Sequence, residues 1–135
     1  MSYLLDTNIC IYALKSRPPE VLARLRALNP ADVALSVVTL LELRQGAEGS
    51  QQPDAAHARL DAFVAPLGIL PFEEEDALTG ARLRAALSRR GRPIGDLDSL
   101  IAAQAVTRDL ILVTNNLREF IRIPGLRTEN WVAAE

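Results

Sequence analysis

The chain is 135 residues long, which suits one domain and leaves no room for two separate cores. With 49% hydrophobic and 24% charged residues and a formal net charge of −2, it is neither a disordered polyelectrolyte nor a bulk-basic nucleic-acid binder. One cysteine and one histidine exclude an internal disulfide, a cysteine-built zinc site, a multi-histidine metal site and a histidine-pair acid/base mechanism.

Tyr3–Leu5 is a short apolar run that reads as a buried strand, and a helical pattern over Thr7–Lys15 follows it. Within that helix Cys10, between Ile9 and Ile11, reads as a small buried apolar residue. Pro18-Pro19 and Asn29-Pro30 punctuate a second helix over Glu20–Leu28, because a residue before proline leaves the helical region. Val33–Ser36 reads as a strand, Val38–Gly46 and Asp54–Leu67 as helices, and Ile69–Pro71 as a third strand. Glu73-Glu74-Glu75-Asp76 opens a helix over Glu74–Arg90 whose bases gather at its far end, complementing the helix dipole. A helix over Leu97–Arg108, a strand over Ile111–Thr114 and a fainter one over Leu126–Glu129 complete the pattern. This alternation predicts an α/β fold: a mostly parallel central sheet of about four to five strands flanked by helices, in a single domain. No stretch reaches the ~18 apolar residues of a membrane span, and the opening residues carry no secretory pattern, so a soluble, cytoplasmic protein is expected.

Most of the seventeen acids lie among polar neighbours, but three do not. Asp6 stands at the carboxyl end of the first strand, the edge where ligand crevices form in open α/β sheets. Glu42 interrupts the apolar run Val37-Val38-Thr39-Leu40-Leu41, with Val38, Thr39 and Gly46 beside it at helical spacing. Asp98 heads a core-facing stripe of Ile101, Ala102 and Ala105. Each also has a structural reading: Asp6 as a helix cap, Asp98 as a dipole-favourable first-turn acid, Glu42 as a partner of Arg44 or another arginine. Three carboxylates in one crevice repel unless a cation joins them, and oxygen donors without His or Cys suit Mg²⁺ or Mn²⁺. Asp96 lies two residues before Asp98, and Asn116 follows the fourth strand with Glu119 one turn beyond it. Asn115-Asn116 also reads as an ordinary polar turn.

Fourteen of the fifteen bases are arginine, the exception being Lys15. From Ala77 through Gly95 there is no acid, while Arg82, Arg84, Arg89, Arg90 and Arg92 lie there, just ahead of Asp98. Arg89, Arg90 and Arg92 are candidate contacts to nucleic-acid phosphates; the alternative is a solvated helix face. With six aromatics in all, stacking platforms for a bare strand are scarce.

At these residues the sequence resembles the PIN-domain ribonucleases, and within them the VapC toxins of bacterial toxin–antitoxin pairs. The resemblance runs through Leu4-Leu5-Asp6-Thr7-Asn8, Thr39-Leu40-Leu41-Glu42-Leu43-Arg44-Gln45-Gly46 and Ile94-Gly95-Asp96-Leu97-Asp98-Ser99. It continues through Leu112-Val113-Thr114-Asn115-Asn116-Leu117-Arg118-Glu119-Phe120, Pro124-Gly125-Leu126-Arg127 and Glu129-Asn130-Trp131. The last segments resemble the subgroup that cuts initiator tRNA in the anticodon region. The resemblance implies that Asp6, Glu42 and Asp98 match the family's metal-binding acids. A fourth acid usual in PIN domains matches Asn116, a departure for which Glu119 compensates. It further implies a VapB-type antitoxin partner, a heteromeric complex with it, and a homodimer.

The expected activity is Mg²⁺-dependent hydrolysis of an RNA phosphodiester by water, with Asp6, Glu42 and Asp98 holding the ion. Thr7, Thr114 and Asp96 are expected to orient those ligands. The alternatives are a catalytically inert PIN-like module that binds RNA or protein, and a nuclease acting on another RNA or on structured DNA. A receiver-type phosphoacceptor needs a lysine at the pocket, and a haloacid-dehalogenase-like phosphatase needs an acid where Asn8 stands.

Overall fold

Five short strands, β1 (Tyr3–Leu5), β2 (Val33–Ser36), β3 (Gly68–Leu70), β4 (Ile111–Val113) and β5 (Arg127–Glu129), lie parallel in the order β3-β2-β1-β4-β5 in a computed structural model that describes residues 1–133. The helices are α1 (Thr7–Lys15), α2 (Pro19–Arg26), α3 (Val37–Glu48), α4 (Pro53–Val64), α5 (Glu74–Arg89), α6 (Asp96–Thr107) and α7 (Leu117–Phe120), with a 3₁₀ turn at Pro30–Asp32.

The central strands β1, β2 and β4 are apolar but for Ser36 because helices cover both faces of the sheet there, whereas the edge strand β5 is Arg-Thr-Glu. Register places Leu4 beside Ala34 and Leu112, and Leu5 beside Leu35 and Val113. Successive side chains point to opposite faces. Leu4, Ala34 and Leu112 therefore join Leu87, Ile101, Ala102 and Phe120 in one core, under α5, α6 and α7. Leu5, Leu35 and Val113 join Ile9, Cys10, Val21, Leu43, Leu60 and Trp131 in the other. Cys10 is fully buried there, as its apolar setting predicts.

β1, α1 and β2 have the bounds the sequence predicts, and the other element ends that differ do so by one to three residues, for local reasons. Pro19 starts α2 because its fixed φ suits a first helical position, and its missing N–H is not needed there. Ser36 caps α3, accepting from the Val38 N–H at 3.0 Å, so the helix starts at Val37. Pro66 cannot extend the hydrogen-bond ladder, so α4 stops at Val64 rather than Leu67. α7 is an element the sequence reading did not contain: a single turn is too short for hydrophobic periodicity to register. The predicted β5 is present, shortened to Arg127–Glu129.

From β1 the chain builds outward through β2 to β3, and then α5 and α6 carry it back across to β4 on the other side of β1. The direction of construction thus reverses between β1 and β4. Strand carboxyl ends at such a switch point diverge and leave a crevice.

Candidate active site and metal centre

Asp6 is the first residue beyond β1 and Thr114 the first beyond β4, so both stand at that crevice. Asp6 is 7% exposed and caps α1, its Oδ1 accepting from the Ile9 N–H at 2.9 Å. The capping role and the site position are compatible, since the cap uses one oxygen. Thr114 is fully buried, and its Oγ1 accepts from the Asn116 N–H at 2.9 Å.

Glu42 comes from α3 and is half-buried. The Thr7 hydroxyl, from the first position of α1, donates to its Oε1 at 2.5 Å. Arg44 is committed elsewhere: its Nη2 lies 2.5 Å from Asp61 Oδ1 and its Nη1 3.1 Å from His57 Nδ1. Glu42 is therefore the partner of a threonine, and the expected Arg44 pairing is absent. His57, the single histidine, bridges α3 and α4, with Nε2 3.4 Å from Glu48 Oε1.

Asp98 lies in the first turn of α6 and is half-buried. Arg84 of α5 holds that turn, with Nε donating to Ser99 Oγ at 2.7 Å and Nη2 donating to the Asp96 carbonyl at 3.1 Å. The buried Ser99 hydroxyl in turn donates to the same carbonyl at 2.6 Å. The Asp96 carboxylate is not brought to the crevice: its side chain is 91% exposed and pairs outward with Arg84 at 3.6 Å. Only its main-chain oxygen supports the turn.

Asn116 is exposed at the head of α7, where its side chain makes no capping bond. Glu119, on α7, is tied to Arg122 by a bond of 2.7 Å. Arg89, Arg90 and Arg92 are exposed around the end of α5. Gly91 there adopts φ 71°, a left-handed conformation that glycine accepts without strain. It lets Arg92 N–H reach the Leu87 carbonyl at 3.0 Å and Gly91 N–H the Ser88 carbonyl at 2.9 Å.

The carboxylates act on one another. Burial raises the Asp6 pKa above the ordinary carboxylate range, and the Asp98 and Glu42 charges add to that, against hydrogen bonds from Thr114 and the Ile9 N–H. Burial also raises Asp98, with further contributions from Glu119 and then Glu42. Asp6 at the cap of α1, Glu42 of α3 and Asp98 of α6 thus lie within charge reach of one another, and Glu119 of α7 within reach of Asp98. Among the described residues no three His, Cys, Asp or Glu side chains are drawn into a ready cage. The donor set is nevertheless suited to a hard divalent cation: all oxygen, anionic, partly buried, and under mutual repulsion that such a charge relieves.

Arg84, Ser99 and Arg122 hold these segments through contacts that the sequence did not assign to them. Two signals were available: Ser99 is a hydroxyl in a core-facing stripe, and Arg122 stands three residues after Glu119, the spacing of a helical ion pair.

A groove of about 450 Å³ runs between α1, α3 and α4, lined by Ile11, Leu14, Leu43 and Leu60, with Glu42 on its wall. Lys15 and Arg59 supply its basic groups. The apolar residues of α2 do not reach it: Val21 is buried, and Leu22 and Leu25 pack against the core.

The PIN domain family matches residues 3–126. The tRNA(fMet)-specific endonuclease VapC of Shigella flexneri is 45% identical over 131 residues, covering 97% of this chain and 98% of that protein. Ribonuclease VapC2 of Haemophilus influenzae is 45% identical over 132 residues, covering 98% and 99%. Among solved structures, the DNA-bound VapBC of Salmonella typhimurium is similar with a TM-score of 0.91 at 40% identity, covering 98% of this chain and 99% of that one. VapBC2 of Rickettsia felis, bound to a promoter DNA fragment, is similar with a TM-score of 0.90 at 37% identity, covering 98% and 100%.

Proposed function

The chain belongs to the PIN domain family, and from that membership we propose that it is the ribonuclease toxin of a VapBC-type toxin–antitoxin pair, cutting initiator tRNA in the anticodon region. Asp6 stands at the carboxyl edge of β1, Thr7 beside it holds Glu42, and the Asp98 charge reaches both, which supports this reading. The tRNA(fMet) specificity of relatives at 45% and 41% identity supports the substrate.

In this reading Asp6, Glu42 and Asp98 would hold Mg²⁺, for which Mn²⁺ can substitute, with Asn116 and Glu119 as further oxygen donors of the site. When bound, the ion supplies Lewis-acid relief of phosphoryl charge and makes water a better nucleophile at neutral pH. The Thr7 hydroxyl fixes the rotamer of Glu42, and the Thr114 hydroxyl favours the ionised form of Asp6. The arginines at the end of α5 hold backbone phosphates beside this negative crevice. The single imidazole is engaged by Arg44 and Glu48, so no histidine is poised to take a proton from an RNA 2′-hydroxyl. Hydrolysis by water is the chemistry these residues serve, with cleavage of the P–O3′ bond leaving a 5′-phosphate and a 3′-hydroxyl.

The antitoxin's place in this reading is the apolar groove beside Glu42, where a bound segment covers the route to the acids. Relatives solved as VapBC complexes support the partnership. A homodimer is part of the same proposal and is read out by the mass of the purified protein in solution.

The deciding experiment incubates antitoxin-free protein with total RNA in Mg²⁺, in EDTA, and with Asp6→Asn in Mg²⁺. A discrete product in the first alone, mapped to the initiator tRNA anticodon region, is expected. A 2′,3′-cyclic phosphate on the product excludes water attack. RNA retention without cleavage turns the reading to an inert binding module, and cleavage of DNA hairpins in preference to RNA turns it to a DNA nuclease.

A further inference from the structure

The segment between α5 and α6, residues 90–95, has no regular secondary structure, yet it carries Arg92 and leads directly into the turn that bears Asp98. Its near end is fixed by the bond from Arg92 N–H to the Leu87 carbonyl, and its middle is fixed from outside by one side chain. Arg122 donates from Nη1 to the Arg92 carbonyl and from Nη2 to the Pro93 carbonyl at 3.2 Å. The same guanidinium donates from Nη2 to Glu119 Oε1 at 2.7 Å and from Nε to the Glu119 carbonyl at 3.0 Å. Arg122 is 14% exposed, so these bonds are partly shielded from water.

Five donors in a rigid plane let one arginine clamp two chain segments at once, which the three donors of a lysine ammonium on a flexible stem do not reproduce. The segments clamped are the basic turn and the acid-bearing α7.

We propose that Arg122 is a positioning residue that locks the Arg89–Arg92 turn against Glu119, so that the phosphate-holding arginines and the acidic crevice keep a fixed spacing. The inference rests on the RNA-cleaving reading above, but it concerns how substrate is held rather than how the bond is broken. In that role Arg122 touches neither RNA nor metal. Its removal lets the turn move while Arg89, Arg90 and Arg92 keep their charges, so the loss falls on RNA affinity and KM more than on kcat.

The test measures the Kd of a tRNA transcript in EDTA, in the Asp6→Asn background, for four proteins: parent, Arg122→Lys, the Arg89/Arg90/Arg92→Ser triple, and the triple with Arg122→Lys. Arg122→Lys is expected to weaken binding about tenfold in the parent and to have no further effect in the triple, because it acts through the turn. Steady-state cleavage in Mg²⁺ by Arg122→Lys with Asp6 restored is expected to show KM raised by a larger factor than kcat is lowered. Unchanged affinity, an equal loss in both backgrounds, or loss of kcat alone overturns the proposal. If Arg122→Lys does not fold, as judged by thermal unfolding, Arg122→Gln gives the same comparison. A wild-type protein that cleaves no RNA defeats the nuclease reading, whereas the four-protein affinity pattern still decides the role of Arg122.

Discussion

Asp6 has two occupations whose demands on its charge conflict. As the cap of α1 it needs only an oxygen acceptor, which asparagine also provides. As a member of the acidic crevice it must be ionised, although burial and the Asp98 and Glu42 charges favour the protonated form. A carboxyl whose pKa is raised on folding gives stability that is present below its unfolded pKa and lost as pH rises through the folded value. Asp6→Asn therefore removes a cost at neutral pH. In EDTA the variant should melt above wild type at pH 7, and the difference should shrink toward zero on acidification. Mg²⁺ should raise the melting temperature of wild type and leave the variant unchanged, while the variant's RNA cleavage is lost. Thr7 is the complementary case, since its hydroxyl holds Glu42 and has no charge of its own. Thr7→Val keeps the shape and should lower the cleavage rate about 10-fold or more, with little change in melting temperature; a rate equal to wild type means the hydroxyl is dispensable.

At the scale of elements, α5 is the part whose local chemistry was most visible in advance. Its acidic start and basic end follow the dipole, and Asp76 closes the first turn by accepting from the Glu73 N–H at 2.8 Å. What sequence could not give is that Asp76 is fully buried and bonded to Arg108 across the α5–α6 contact, a partner 32 positions away. A buried carboxylate is tolerated only with such a partner, and removing one member strands the other. Asp76→Ala should cost about 3 kcal/mol in urea unfolding, in contrast to substitutions at exposed ion pairs such as Arg127–Asp109, worth about 1 kcal/mol or less. The α5–α6 contact matters for function because α6 carries Asp98, and Arg84 and Arg108 both reach across it.

For the whole molecule, the sheet sets where the chemistry sits. Because β1 and β4 are neighbours and parallel, residues 108 positions apart, Asp6 and Thr114, emerge side by side. Glu42 lines the groove between α1, α3 and α4, so a segment lying in it and the acidic crevice share that side chain. Leu14, 37% exposed, lines that groove away from the crevice acids. Leu14→Glu should abolish co-purification with a VapB-type antitoxin while RNA cleavage by the free protein persists. Loss of both together, with folding intact, means that the groove serves the substrate instead.

The sequence by itself determined the layered α/β architecture, since both-face burial forces apolar strands and amphipathic helices whatever the order of the sheet. It also marked Asp6, Glu42 and Asp98, because a carboxylate in an apolar context needs an explanation at the position where it stands. The tertiary structure alone decided which way each polar side chain turned. Asp96 and Asp98 are two residues apart on one helix turn, yet Arg84 draws the first outward while the second keeps company with Glu119 and Glu42. Neither the single turn of α7 nor the clamp of Arg122 on Arg92 and Pro93 leaves a periodic trace, because each depends on partners brought close only when the sheet has assembled. Local pattern fixes what a segment is; long-range packing fixes what its polar groups can touch.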